Sequence, residues 1–319
     1  MKSRVNILML GGAKRVSLAR LLIAAGERMG VEVGLFSSEI IPTVPISCVG
    51  TVIEGKRWND PGIYDNLSAA IEAHDIGIVL PFVDGAIEIC SRLKEMHTEV
   101  FIPVSPYGVA HSMFDKAEAA ELFSKNGFAI PATYNAWDCR YPAILKPREG
   151  SASKGIKVVD NADELGKIDC PDKYLIQEYI ADRDEYTVDC YVSTVSRKTL
   201  CAVPRLRIST SGGEVDRTVT RRIPLLIDSS KMILEKLGFE GPVTIQFIHD
   251  KKRGRYLLME INPRLGGGVV CSINAGADIP GMILTEWLGK EAGECTEWRD
   301  NALMARYFSE VMFYDDEKR

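Results

Sequence analysis

This 319-residue sequence has no surplus of positive charge, no long apolar run and no paired-cysteine spacing, and each absence removes a class of function. Lysine and arginine total 39 against 44 aspartates and glutamates, a formal net charge of -5. A nucleic-acid backbone is held by clustered cations in excess, so no nucleic-acid partner is expected. An anionic ligand must instead meet a few locally placed cations. No segment approaches the roughly 18 apolar residues of a membrane span, so no membrane partner is expected either. The start, Met1-Lys-Ser-Arg4 before the apolar Val5 to Leu10, has the outline of a signal peptide. That run is short and breaks at Gly11-Gly12 with Lys14-Arg15 behind it, which fits a first buried strand better. Eight cysteines are scattered without a CxxC pair or a histidine at metal-ligand spacing. Reduced, mostly buried thiols in a cytoplasmic protein are the expectation.

What is present is a change of pattern along the chain. Up to about residue 108, apolar runs at Val5 to Leu10, Val31 to Ser37, Ile76 to Pro81 and Val100 to Ser105 alternate with helical stretches such as Ser17 to Met29 and Ile63 to Ala73. Alternation of this kind predicts a parallel sheet with crossover helices. Gly11-Gly12 follows the first strand, but GGAKRVS lacks the GxGxxG spacing of a dinucleotide fingerprint, so a plain tight turn is expected there. Ser112 and Asp115 have the spacing of a capping box opening a helix that runs to about Asn126 and stops at Gly127. Beyond Pro131 strands dominate, with few covering helices. The whole reads as α/β (α+β): an α/β domain over 1–108, a small lobe over 109–173 and a larger, mostly antiparallel lobe over 174–319.

Three local patterns carry chemistry. The first is Ala143-Ile-Leu-Lys146-Pro147, followed by a loop with Gly150, Ser151, Ser153, Lys154 and Gly155. A cation at the end of a buried strand, next to close-approaching amides and hydroxyls, is a means of holding a polyphosphate; a surface turn is the alternative. The second is Gln246 in Val243 to Asp250, answered by Leu258-Met-Glu260-Ile-Asn262-Pro-Arg264. A hairpin centred on residue 253 sets Gln246 opposite Glu260 and puts Asn262 on the same face, an oxygen set that suits Mg²⁺. The third is Gln177-Glu178-Tyr179-Ile180 and Glu185, two acids flanking a short polar turn.

Taken in order, Lys116, Lys146, the Gly150 to Gly155 loop, Glu178, Glu185, Gln246 and Glu260-Ile-Asn262-Pro-Arg264 resemble the motif series of the ATP-grasp superfamily. The resemblance is strongest to one module of the carbamoyl phosphate synthase large subunit and related carboxylate-amine ligases, and it extends from the first strand to about residue 290. It implies a Rossmann-like pre-ATP-grasp domain ahead of a two-lobed ATP-grasp fold. It further implies ATP with Mg²⁺, or Mn²⁺ in its place, as cofactors. Lys116 and Lys146 would contact phosphates, and the Gly150, Ser151, Ser153 and Gly155 loop would close over them. The backbone at Glu178, Tyr179 and Ile180 would meet adenine and Glu185 the ribose. Gln246, Glu260 and Asn262 match metal positions, and Arg264 the arginine facing the transferred phosphoryl group, so Arg264, Lys146 and Glu260 are the implied catalytic residues.

The implied reaction activates a small carboxylate as an acyl phosphate and passes it to an amine, with small-molecule partners and a homo-oligomer as one arrangement. Arg205, Arg207 and Arg222 are candidates for the substrate carboxylate, and Asp84 and Glu88, after a parallel strand, for an amine. The chain has one copy of the motif set, so complete carbamoyl phosphate synthesis would need a partner subunit. A nucleotide-binding regulatory module without turnover and a Rossmann oxidoreductase are the competing readings.

Overall fold

The computed structural model describes residues 3–150 and 154–314. Its first unit is built on β1 (Ser3–Leu10), α1 (Val16–Met29), β2 (Val31–Glu39), β3 (Thr51–Glu54), α2 (Ile63–Ala73), β4 (Ile76–Pro81) and α3 (Asp84–Met96). The four strands pair in parallel in the order β3-β2-β1-β4. Successive connections leave β1 toward opposite sides of the sheet, so the carboxyl ends of β1 and β4 frame a topological switch point. The expected strand from Val100 to Ser105 is reduced to one bridge, Phe101 to Ile78. Pro103 lacks the amide that would continue the ladder.

Two short helices follow, α4 (Tyr107–His111) and α5 (Lys116–Lys125). The expected capping box is corrected here. Asp115 is itself the N-cap of α5, accepting from the amides of Ala117 and Glu118, while the Ser112 hydroxyl donates back to the Val109 carbonyl. The carboxylate takes the cap because it can accept two amide donors at once. The small lobe then forms from β5 (Thr133–Tyr134), β6 (Ala143–Pro147), β7 (Lys157–Val159), α6 (Ala162–Leu165) and β8 (Tyr174–Glu178), in the order β5-β8-β6-β7. Because β8 pairs inside this sheet, the small lobe runs through Glu178 and not only to residue 173.

The large lobe comprises β9 (Arg183–Val192), β10 (Thr199–Ser211), β11 (Glu214–Thr220), α7 (Pro224–Leu237), β12 (Gly241–Asp250), β13 (Arg255–Asn262), α8 (Val269–Asn274), α9 (Ile279–Trp287) and β14 (Leu303–Ala305). Its strands are antiparallel in the order β13-β12-β9-β10-β11-β14. The covering helices exceed the expectation. Helix α9 is buried from Ile279 to Leu284, so it carries no polar face to mark it in the sequence. Among the described residues no helix is long and apolar enough to cross a membrane.

A single apolar cluster joins the first unit to the large lobe: Ile7 and Met9 of β1, Leu22 of α1, Tyr191 of β9, Val203 of β10 and Ile283 of α9. Beside it, Gly241 meets the segment after Phe101 at close range, with φ +72° and space for a Cβ only 1.9 Å from the Pro103 carbonyl oxygen. Gly241→Ala is therefore expected to lower the urea midpoint by the equivalent of about 3 kcal/mol with little change in slope. An unchanged midpoint would show that this seam yields freely.

Candidate active site

A cleft of about 430 Å³ opens between the small and large lobes and reaches the first unit at one end. Its character changes along its length. Ile144, Ile156, Ile180, Ile248 and Met259 make one end apolar. Lys116, Lys146, Glu185, Gln246, Glu260 and Asn262 line the middle, and Arg15, Arg205, Arg264 and Gly266 to Gly268 line the far end.

Strand alternation explains the small-lobe wall. On β6, Ala143 and Leu145 point into the lobe core, which leaves Ile144 and Lys146 on the cleft face. Lys146 is buried, and its Nζ donates to the neutral Gln177 Oε1 at 3.1 Å. Among the described residues no carboxylate lies within ion-pair distance of it. Desolvation lowers its pKa to about 8, opposed by the more distant Glu260 and Glu185 and aided by Lys116 and Arg183. A buried cation with only a neutral partner fits a polyanionic ligand. Nearby, α5 begins against the loop that follows β6. Lys116 donates its backbone amide to the Arg148 carbonyl at 2.9 Å and its Nζ to the Gly150 carbonyl at 2.6 Å. Arg148 pairs in turn with the cap residue Asp115 at 2.7 Å. Gly150 and Gly155 adopt φ values of +99° and +74°, which suit glycine. Ser151 and Ser153 lie outside the described residues.

The large-lobe wall is the β12–β13 hairpin. Gln246 faces Glu260 and Thr244 faces Asn262, with a bulge that inserts Met259 between Leu258 and Glu260. Asn262 Nδ2 donates to Glu260 Oε1 at 2.7 Å. Among the described residues no group of three His, Cys, Asp or Glu side chains could enclose a metal. One carboxylate with two amide oxygens fits an ion that is held mainly by phosphate oxygens and water, the usual habit of Mg²⁺. Arg207 spans this face, donating to Glu185 at 3.1 Å and to Gln246 Oε1 at 3.2 Å.

The linker between lobes crosses the apolar end. The amides of Glu178 and Tyr179 already donate to Ala132 and Pro142, whereas no hydrogen bond among the described residues engages the Ile180 amide. The Glu178 side chain points elsewhere: burial would raise its pKa, but the Ala132 amide with Arg255 and Arg253 outweighs that and holds it low.

Several substrate candidates have other partners. Arg205 is buried in a two-pronged pair with Asp189, at 2.6 and 3.0 Å, and forms a wall of the cleft with its charge already met. Arg222 lies outside the cleft, stacked 4.3 Å from the Trp298 ring and bonded to the Thr296 and Trp298 carbonyls. Glu88 pairs with His111 on the first unit. Asp84 receives Arg264 Nε at 2.7 Å and so ties the first unit to the arginine end. Sequence reasoning missed Arg15, whose guanidinium pairs with Glu214 at 3.2 Å, and Arg183, which pairs with Glu185 at 3.2 Å. Nothing in its local sequence marks Arg15, which reaches the cleft from the first unit, whereas Arg183 lies two residues from the candidate Glu185 and that nearness was its signal. The turn at Gly11-Gly12 is closed to a dinucleotide: Glu39 draws on the amides of Gly12 and Ala13 that a pyrophosphate would need.

Residues 171–309 match a protein-family model described as ATP-grasp in the biosynthetic pathway with Ter operon. No curated protein matches in sequence. Among solved structures, the biotin carboxylase domain of Hydrogenobacter thermophilus 2-oxoglutarate carboxylase, a dimer in complex with MgADP, ADP and bicarbonate, aligns with 93% of this chain and 73% of its own. It shares 16% identity at a TM-score of 0.72. An ADP complex of N5-carboxyaminoimidazole ribonucleotide synthetase aligns over 93% and 79% with 16% identity and a TM-score of 0.71. The L-amino acid ligase of Bacillus licheniformis aligns over 90% and 75% with 18% identity and a TM-score of 0.65.

Lys146→Met should weaken ATP binding about ten- to hundredfold in calorimetric titration, the worth of one charge-assisted contact. Phosphate beside Lys146 would raise its lowered pKa, so ATP binding near pH 8 should take up protons, and affinity should fall as pH rises through about 8. Titrations in buffers of differing ionisation enthalpy read the uptake directly, and equal heats in all buffers would remove Lys146 from the phosphate site.

Proposed function

We propose, from the premise that this chain has the ATP-grasp fold, that it is an ATP-dependent ligase which phosphorylates a small carboxylate and couples it to an amine. The observation that carries this reading is the order of groups along one cleft: an apolar pocket, then a buried lysine opposite Glu260 and Asn262, then Arg264. That order matches the parts of a nucleotide triphosphate and an acid placed beyond its terminal phosphate. The apolar end takes the base, with the Ile180 amide available to it, and Glu185 stands where the ribose would lie. Lys116 and Lys146 meet the phosphates, and Gln246, Glu260 and Asn262 would hold Mg²⁺. When bound, the metal offsets charge on the phosphate oxygens.

The protein's own part is positioning and electrostatics. Lys146 and Arg264 favour negative charge as it builds on the group in transfer. Lys116 fixes the Gly150 end of the loop, so that closure would shield a hydrolysable acyl phosphate from water. Attack of the carboxylate on the terminal phosphorus releases ADP, and attack of the amine on the acyl carbon then releases phosphate. Gln246 at the first metal position keeps the chain close to the carbamoyl phosphate synthase modules, and a partner subunit supplying the amine is compatible with that kinship. The eight reduced cysteines fit a cytoplasmic location.

Labelled ATP incubated with a panel of carboxylates and amines should yield ADP and phosphate in a carboxylate-dependent way. AMP with pyrophosphate would sink the mechanism, and silence across a broad panel would favour a regulatory nucleotide sensor. Glu260→Gln should cut turnover at least about a hundredfold while leaving the unfolding midpoint nearly unchanged. A mutant that keeps its rate would move the metal site off the hairpin.

A further inference from the structure

A second cavity, of about 630 Å³, lies in the first unit and is lined by Gly11, Ala13, Ile40, Ile41, Val44, Trp58 and Val83 among others. Its position is set by topology. Gly11 follows β1 and Val83 follows β4, so the cavity sits outside the carboxyl ends of the two strands that frame the switch point, where open parallel sheets bind ligands. The approach there is tight: a Cβ on Gly11 would lie 2.6 Å from Val83 Cγ2. Ile40, Ile41, Val44, Trp58 and Val83 give it apolar walls, while Ser38, Glu39, Lys56, Arg57 and Asn59 make the rest polar. Ile40 and Ile41 are adjacent and 58% and 60% exposed. Trp58 packs on the start of α3, where Gly85 leaves room that a Cβ would close to 2.7 Å from the indole.

The cavity adjoins the arginine end of the nucleotide cleft. Ala13 lies two residues from Arg15, a span of at most about 7 Å. Val83 precedes Asp84, which holds Arg264 at 2.7 Å. Both arginines line the cleft, so two short chain segments link the lining of the cavity to the arginine end, although no residue lines both. Glu39 engages the Gly12 and Ala13 amides, so the turn offers no anion nest, and Lys56 and Arg57 also line the cavity.

We propose that this cavity receives the body of the carboxylate substrate, and that the substrate is an acid carrying a branched-aliphatic or aromatic group. Its carboxylate lies toward Arg15 and Arg264, and its apolar body rests against Ile40, Ile41 and Trp58. This rests on the ligase reading for the reaction, but the binding it describes does not require turnover.

The test uses the full chain without nucleotide and three acids, acetate, 4-methylpentanoate and 3-phenylpropanoate, followed by calorimetry and by the change in tryptophan fluorescence. The two larger acids should bind at least about tenfold more tightly than acetate, as burial of several methylene equivalents requires. Ile41→Asp should erase that preference while ATP affinity stays unchanged, and Trp58→Phe should remove the fluorescence response but keep the binding. Lys146→Met should leave acid binding intact. Equal affinity for the three acids, or an Ile41→Asp protein that keeps the preference, would overturn the assignment. Tight binding of the larger acids with no ADP released once MgATP and an amine are added would uphold the pocket and count against the ligase reading, so the two can fail separately.

Discussion

The cleft floor depends on two charges buried in the large sheet. Arg205 on β10 and Asp189 on β9 form a two-pronged pair, and neither side chain reaches solvent. Thr218 on β11 accepts a further bond from Arg205, and Ser272 on α8 donates one to Asp189. Such a pair gives little net stability over apolar packing, but removing one partner strands the other at a cost of about 3–5 kcal/mol. Its geometric effect is plainer. The turn from Gly266 to Gly268 passes over the guanidinium so closely that a Cβ on Gly268 would lie 2.5 Å from it. Three strands, one helix and one turn are thus fixed at a single point, directly beneath the arginine end of the cleft.

From that floor the polarity of the cleft follows from which unit supplies each wall. The small lobe contributes the buried lysine, bonded to Gln177, and the stretch from Arg148 to Gly150, which the start of α5 anchors. The β12–β13 hairpin contributes oxygen donors, and the first unit contributes Arg15 and the Asp84 that holds Arg264. The continuous apolar cluster through β1, α1, β10 and α9 joins the first unit to the large lobe. The small lobe has a core of its own around Ala143, Leu145 and Ile176.

The fold was legible where the chain obeys one period at a time. Ile63–Ala73, Ile76–Pro81 and Ala143–Pro147 begin and end at the expected residues, and Gln246 meets Glu260 as expected. The turn itself pairs Asp250 with Arg255, and it is the bulge at Met259 that brings Gln246 opposite Glu260. Helix α9 was not legible, because burial on all sides erases the helical stripe. The capping residue was misplaced because two residues near the helix start could serve as acceptors, and only the structure shows that Asp115 meets two amides. In the site, residues in local motifs were found, while Arg15 and Arg183 were not. Arg183 sits within the third local pattern, near its partner Glu185, and was overlooked there. The place of Arg15 depends on how distant segments meet, and a single sequence holds no trace of that. The same limit explains Arg222, whose neighbour Trp298 is 76 positions away.

The extra residue at Met259 has a consequence of its own. In an unbroken strand, neighbours face opposite sides, so Met259 would be turned into the core with Ile261, and Leu258 would share the face of Glu260. The bulge places Met259 and Glu260 side by side on the cleft wall, one serving the apolar end and the other the charged middle. Ladder contacts on either side of it, Phe247 to Leu258 and Gln246 to Glu260, do not depend on what residue 259 is. Position 259 is therefore a point of independent variation: the fit of the apolar end can drift through evolution or be redesigned, while the carboxylate next to it stays where its chemistry needs it.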